Sequence, residues 1–453
     1  MAERSQIRSE AARILALAWP VALTSLNWTL LQVTDIVVLG FVGSGEVAAM
    51  AASRTLFFIV IVAGLSAQSG ILVAASQADG AGDLPRTGGV FREGLLLGLL
   101  IGSPIGALLL LFAAPLLAGV GVAAPLVEPA AAVVRVMAIA FPMQMASIAA
   151  TYFLEGVSAP RRVLAVNLGT LPINAVLAWA LSGGHLGLPA WGAVGAATAT
   201  LIASGLGSVG MIVSVLTLPD RAARDLHLSL RGALAGAISL IKFGIMPAVA
   251  AGLELAGFSI LIGLSTQLGT TATHAFQIVF SIHNVTFAVA LGLGSAAGVR
   301  VGNAIGEKCH EKTLFRTLIA VGLAAAATGL LALILLIWGG ALAAAFPATR
   351  NVHQLAATML AAWAPFIVFD GVQIVLLYAL RSLGDQVAAG VNSILAYFVV
   401  TGGLGWWLVS TGGGAMALVW ASGIGMVAAA ALHGARFVWI SSRGRRKSLA
   451  PAS

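Results

Sequence analysis

The chain has 453 residues, of which 59% are hydrophobic and only 9% charged. A soluble domain carries roughly 25% charged residues, so this composition excludes a water-covered globule and fits a lipid-facing surface. The net charge of +8 does not point to nucleic acid, because the basic residues fall in short loops between apolar runs, and the single Cys309 excludes an internal disulfide or a cysteine-rich metal site.

Twelve apolar segments follow in chain order, at 14–41, 47–75, 88–118, 127–157, 163–182, 189–218, 235–267, 271–301, 314–345, 352–381, 387–409 and 413–440. Each reaches the roughly 20 residues that a helix needs to cross the hydrocarbon core. The first follows Arg4, Arg8 and Arg13 as a secretory leader would, but it runs on too long and contains Asp35. It reads as a retained signal-anchor span. Lysine and arginine crowd alternate loops, from Arg86 and Arg92 through Arg161, Arg162, Arg221, Arg224 and Arg231 to Lys308, Lys312 and Arg316, whereas the opposite loops hold only Arg350. That bias places both termini in the cytoplasm. Arg54, Arg135 and Lys242 lie about two turns inside helix ends, where snorkelling to the headgroups is the simple reading. The tail RGRRK is expected to meet anionic lipid, and Cys309 to be a plain thiol in a cytoplasmic loop.

The fold class expected is an all-α integral membrane protein with two six-helix lobes, 1–220 and 221–453, around a central cavity. Paired signals support it. SQADGAGD (76–83) corresponds to RVGNAIGE (300–307), LEGVSAPRR (154–162) to LRSLGDQ (380–386), and WGAVGAATAT (191–200) to GGGAMALVWAS (412–422), at offsets of about 220–226 residues. With six spans each, the two halves share one topology about an axis along the membrane normal, and rocking between them gives alternating access. The basic stretch PDRAARDLHLSLRG (219–232) links them. Pro20, Pro104, Pro142, Pro172, Pro247 and Pro365 fall inside spans and are expected to weaken or bend them.

Three carboxylates stand out against this apolar background. Asp35 lies in LNWTLLQVTDIVVLGFVG, Glu254 in MPAVAAGLELAGFSILIG and Asp370 in PFIVFDGVQIVLLY. A carboxylate at membrane depth costs roughly 2.5–3.5 kcal/mol on insertion scales, so its usual purpose is ion or substrate handling. The structural readings are a helix-break cap or an Asn174 partner for Asp35, and backbone freed near Pro365 as the partner of Asp370. A partnership of Glu254 with Lys242 fails, because twelve residues along one helix span about 18 Å. Glu155, beside Arg161 and Arg162, reads as a structural ion pair. Histidines 185, 227, 274, 283, 310, 353 and 433 are scattered without metal-binding spacing; His283 reads as a packing residue. Trp28, Phe153, Phe258 and Phe280 are available for cation–π contact with an organic cation. The chain has no GxxxxGK[ST] loop, which argues against ATP as the driving force.

Together these residues resemble a known family. The two lobes, SQADGAGD, GSAAGVRVGNAIGE (294–307) and LRSLGD look like the multidrug and toxic compound extrusion (MATE) transporters. VTDIVVLG, GLELAGF and FDGVQ look like the acidic motifs of its NorM branch. The resemblance implies a bacterial inner-membrane antiporter that exports cationic amphipathic drugs in exchange for Na+ or H+, with no cofactor, no enzymatic activity and no nucleic-acid partner. A monomer embedded in membrane lipid is expected, since each chain encloses its own pathway. By position, Glu254 and Asp370 would bind the coupling cation, Na+ included, in the C-terminal lobe. Asp35 would be the acid of the N-terminal lobe, with Asn174 and Gln277 as polar support. Two departures stand out. Ala178 replaces a second Asp or Asn one turn after Asn174, and Phe276 replaces a histidine of span 8. Two other functions share features of the chain. A lipid-linked saccharide flippase of the wider fold group would need a cationic cavity for phosphates. A membrane-embedded enzyme would need paired catalytic groups near one face, and the sequence offers none.

Overall fold

The computed structural model describes residues 2–449, and every regular element among them is helical. The side chains of the tail RGRRK (443–447), for which a lipid contact was expected, lie outside the described residues. In chain order the helices are α1 (Ala2–Val42), α2 (Ser44–Ala67), α3 (Gly70–Gly80), α4 (Leu84–Gly119), α5 (Ala124–Gly156), α6 (Pro160–Gly183) and α7 (Gly192–Leu216). After the linker come α8 (Leu234–Gln267), α9 (Thr270–Gly306), α10 (His310–Ala344), α11 (Arg350–Trp363), α12 (Phe366–Ser382) and α13 (Gln386–Ser393). A π-helical stretch (Ile394–Gly403), α14 (Leu404–Ser410) and α15 (Met416–Leu449) complete the chain. Eleven continuous helical stretches are long and apolar enough to cross a membrane, and α11–α12 makes a twelfth as one bent span. The chain is a multi-pass membrane protein. Large apolar side chains remain exposed where lipid would cover them, as with Leu330, Leu333 and Ile337 along α10.

The prolines act unequally. Pro365 ends one helix and opens the next, with a 53° bend between α11 and α12. It has no N–H to give the carbonyl of Ala361, and its ring crowds that carbonyl. Pro20, Pro104, Pro142, Pro172 and Pro247 instead lie inside helices that run on past them. The one non-helical residue inside α4 is Phe112 (φ −117°, ψ 23°), three positions before Pro115. The carbonyl that Pro115 leaves unpaired belongs to Leu111, so the kink falls beside the lost hydrogen bond.

By contacts the chain forms two compact units, one of residues 23–248 and one of residues 1–22 with 249–453. In the first, α4 and α5 pack most closely. Gly98, Gly102 and Gly106 stand four residues apart on α4, and a Cβ on them would lie 2.8, 2.7 and 2.8 Å from Met145 O, Pro142 Cα and Ala138 O. Only glycine lets the two backbones approach so far, as small residues do at helix interfaces in lipid. The linker is tied to the same unit by Arg224, whose guanidinium donates to Asp79 and Asp220, both at 2.7 Å. Arg92 adds a bond to the Asp225 carboxylate at 3.0 Å. That guanidinium holds the Asp225 carboxyl below its usual range.

In the second unit, α9 packs against α10, α11 and α12, and α12 also packs against α15. Its apolar core gathers Phe276, Met359, Leu360, Trp363, Tyr397 and Leu418. At one end Arg300 grips both oxygens of Glu10 at 2.6 and 2.8 Å. Arg316 joins Glu307 to that cluster at 2.9 Å. Burial pushes the Glu307 carboxyl up, but bonds from Lys312 and Arg316 outweigh it and leave the group below its usual range.

Candidate ion and substrate site

The bend at Pro365 puts Asp370 in the first turns of α12, where it is only 2% exposed. Gln373, one helical turn on, donates from Nε2 to Asp370 Oδ1 at 3.1 Å, as an i, i+3 pair should. The Tyr397 hydroxyl reaches the same oxygen at 3.4 Å from the π-helical stretch. Wide π turns commonly occur at functional positions. Here the turn lies against α8 at Gly257, where a Cβ would sit 2.2 Å from Tyr397 O. Glu254 is one turn earlier on α8. It is half-buried, within electrostatic reach of Asp370 and Tyr397, and accepts no hydrogen bond from a described residue. Arg381 acts on it only at a distance.

Aromatic rings wall this pair of acids. His283 of α9 lies 3.9 Å from Asp370 Oδ2, too far for a hydrogen bond. Its ring stacks on Trp363 with centroids 4.9 Å apart and planes at 21°. Phe258, Phe280 and Phe287 surround it at 6.5, 6.2 and 5.7 Å. Among the described residues Asp370 Oδ2 therefore accepts no hydrogen bond, and the buried Gln373 Oε1 has no partner. The unpartnered buried atoms here include the Gln373 Oε1 oxygen and two nitrogens, His283 Nδ1 and Trp363 Nε1. The carboxylate and amide oxygens of the site are the hard donors that suit a proton or an alkali cation.

Asp35 sits in different surroundings. It is 3% exposed, and its two oxygens are taken separately, Oδ2 by Arg54 Nη2 at 3.1 Å and Oδ1 by Asn174 Nδ2 at 3.0 Å. Arg54 also donates from Nη1 to the Gln32 carbonyl at 3.2 Å. The snorkelling expected of Arg54 is therefore corrected: its guanidinium turns into the protein and neutralises a buried carboxylate. Lys242 is exposed, and Arg135 pairs with the exposed Glu128 at 3.6 Å.

The structure thus brings Glu254 and Asp370 together, and joins Asp35 to Asn174 in a separate cluster. Gln277 is exposed, and the glutamine beside Asp370 is Gln373. Of the aromatics, Phe258 and Phe280 belong to the rings around His283, Phe153 is fully buried against Phe91, and Trp28 is exposed. Gln373, Tyr397, Trp363 and Arg54 are partners that sequence reading passed over. Gln373 was visible as the i+3 residue of FDGVQ. Tyr397, one of only three tyrosines, marked itself by a polar hydroxyl in an apolar run.

Comparison with known proteins agrees with this architecture. The family model MatE matches residues 20–180 and again 248–407, once per repeat. A probable multidrug resistance protein NorM from Burkholderia mallei is 31% identical over 436 residues, spanning 94% of this chain and 92% of that protein. The eukaryotic MATE transporter AtDTX14 superposes with a TM-score of 0.86 at 19% identity, over 98% of this chain and 100% of the other. A MATE structure in the bent conformation gives 0.87 at 19% identity over 98% of both. At such identities the two structures speak to the fold alone, but the family match covers both repeats. The chain belongs to the MatE family and is a membrane transporter rather than an enzyme.

Proposed function

We propose that this transporter exports cationic amphipathic drugs in exchange for inward Na+ or H+, with Glu254 and Asp370 as the site where drug and ion compete. The observation that carries the reading is two carboxylates within electrostatic reach of each other, joined through the Gly257–Tyr397 contact and the Tyr397 bond to Asp370, beside rings of Trp363, Phe258 and Phe280. Flat rings beside a carboxylate suit an organic cation. The same oxygens suit the smaller ion, so each occupant lowers the affinity for the other. That reciprocal linkage is what exchange requires. The relatives named multidrug resistance protein NorM support drugs as the cargo.

Alternating access is supported by the course of two helices. The backbones of α1 and α8 each pass from one compact unit into the other, and Pro20 and Pro247 lie within one turn of the crossings. Each proline removes one backbone hydrogen bond, so bending concentrates there. The repeats 1–220 and 221–453 would then move about α1 and α8, in a monomer of the bacterial inner membrane with both termini in the cytoplasm. The lysine and arginine bias supports that orientation.

The test is efflux of a fluorescent organic cation from proteoliposomes, with a Na+ gradient or a pH gradient imposed separately. One of the gradients is expected to drive transport, and Glu254→Gln with Asp370→Asn to abolish it. Transport that needs ATP, or full gradient-driven efflux by both variants, overturns the reading.

A further inference from the structure

The acid of the N-terminal repeat already has a cation. Asp35 is buried, and Arg54 lies near the middle of α2, held at two points by Asp35 Oδ2 and the Gln32 carbonyl. An entering Na+ would need oxygen ligands. Around Asp35 it would meet a guanidinium 3.1 Å from one carboxylate oxygen and an amide N–H group 3.0 Å from the other, which leaves the neutral Asn174 Oδ1 as the unpartnered oxygen of the cluster. The position one turn beyond Asn174 adds nothing, since Ala178 is apolar and fully buried. Among the described residues Glu254 and Asp370 have no such occupant: Arg381 reaches Glu254 without a hydrogen bond, and Asp370 is bonded by the neutral Gln373 and Tyr397 alone.

We propose that Arg54 is a resident cation that occupies Asp35 in place of a coupling ion, and thereby confines ion exchange to the Glu254–Asp370 site. The inference rests on the function proposed above. It makes Arg54 a determinant of stoichiometry. With Arg54 in place, the Asp35 cluster is neutral throughout the cycle. Without the guanidinium, Asp35 becomes an uncompensated buried carboxylate that must take up a proton or Na+ from solution. Substrate binding near it would then release one more ion.

The experiment measures how steeply drug accumulation follows the ion gradient, using ethidium in proteoliposomes clamped at zero membrane potential. Each additional ion exchanged per drug molecule raises the steady accumulation ratio by one power of the gradient, about tenfold for a tenfold gradient. Arg54→Gln is expected to steepen the dependence by one power. The neutral double variant Asp35→Asn with Arg54→Gln is expected to keep the wild-type slope, and it decides the matter should Arg54→Gln alone fail to fold. A double variant whose slope falls by one power shows that Asp35 carries an ion in the native protein and overturns the proposal. So does a folded Arg54→Gln protein with the wild-type slope. Undiminished coupling in Glu254→Gln and Asp370→Asn is a separate result, and it removes the underlying site instead.

Discussion

Substituting Gly257 by alanine tests whether backbone contact between α8 and the π-helical stretch builds the acidic site. The added Cβ would lie 2.2 Å from Tyr397 O, 2.8 Å from Tyr397 C and 3.2 Å from Phe398 Cα. Carbon contacts settle near 3.5–4.0 Å, so the helices must separate by about 1.3–1.8 Å at this point. The obstacle is backbone and cannot rotate aside. Overpacking of this kind costs about 1–3 kcal/mol, and the better helix propensity of alanine returns up to about 1 kcal/mol. A control stands on the same helix: a Cβ at Gly252 meets nothing within 4 Å, so Gly252→Ala gains up to about 1 kcal/mol. Unfolding in detergent should therefore rank Gly252→Ala above the wild type and Gly257→Ala below Gly252→Ala by about 1–3 kcal/mol. Glu254 is one turn from the clash and moves with it, so Gly257→Ala should also lose drug efflux. Equal stability of the two alanine variants, with transport intact, refutes the argument.

Other outcomes follow from the same geometry. Gly102→Val should destabilise the α4–α5 pair by about 1–3 kcal/mol, since its Cβ would lie 2.7 Å from Pro142 Cα, whereas Gly169→Ala, with open space around it, should not; thermal unfolding in detergent separates the two. Arg54→Leu alone leaves a buried carboxylate uncompensated and should cost about 3–5 kcal/mol, and adding Asp35→Leu should recover much of it, which a double-mutant cycle on unfolding measures. Glu307 has its folded-state carboxyl below the usual range, so its contribution is full above the unfolded value and is lost as pH falls through the folded one. Hydrogen-exchange protection at the α9–α10 junction, taken relative to the intrinsic rate at each pH, should fall on acidification in the native protein and respond less to pH in Glu307→Gln.

Span number and the repeat were legible in the sequence, because lipid demands about 20 apolar residues per crossing and tolerates little else. The acidic pair was legible for the same reason: charge against an apolar background is conspicuous. Partners were harder to see. Gln373 and Tyr397 meet at Asp370 only through the bend at Pro365 and the π-helical stretch, and hydropathy marks neither. The role of Arg54 is hidden from its distance to a helix end, which alone suits snorkelling. Yet α1 and α2 turn back at Gly43, and Asp35 and Arg54 lie about 12 and 16 Å of helix rise from that turn. An arginine stem spans the difference. Opposite charges at similar depth on adjoining helices were a signal that one-helix reasoning could not use.

The repeats give the division of labour between the two acid clusters its own logic. Pro20 and Pro247 are 227 residues apart, as are Asn27 and Glu254. At the offset of 226 that relates Leu154 to Leu380, Asp370 corresponds to Gln144. Where the C-terminal repeat has two carboxylates, the N-terminal repeat has two amides, and both keep a buried carbonyl oxygen without a partner, Asn27 Oδ1 and Gln144 Oε1. The polar positions are thus shared and the charge is not. Asp35 falls outside this correspondence, since the residue 227 positions on is Ile262. An acid with no counterpart in the other repeat, already bound to an arginine of its own unit, is a separate device from the Glu254–Asp370 pair. On the proposed function, a chain with one charged site and one neutral one would exchange fewer ions per cycle than two equivalent sites would allow, and the slope of accumulation against gradient is where that difference is read.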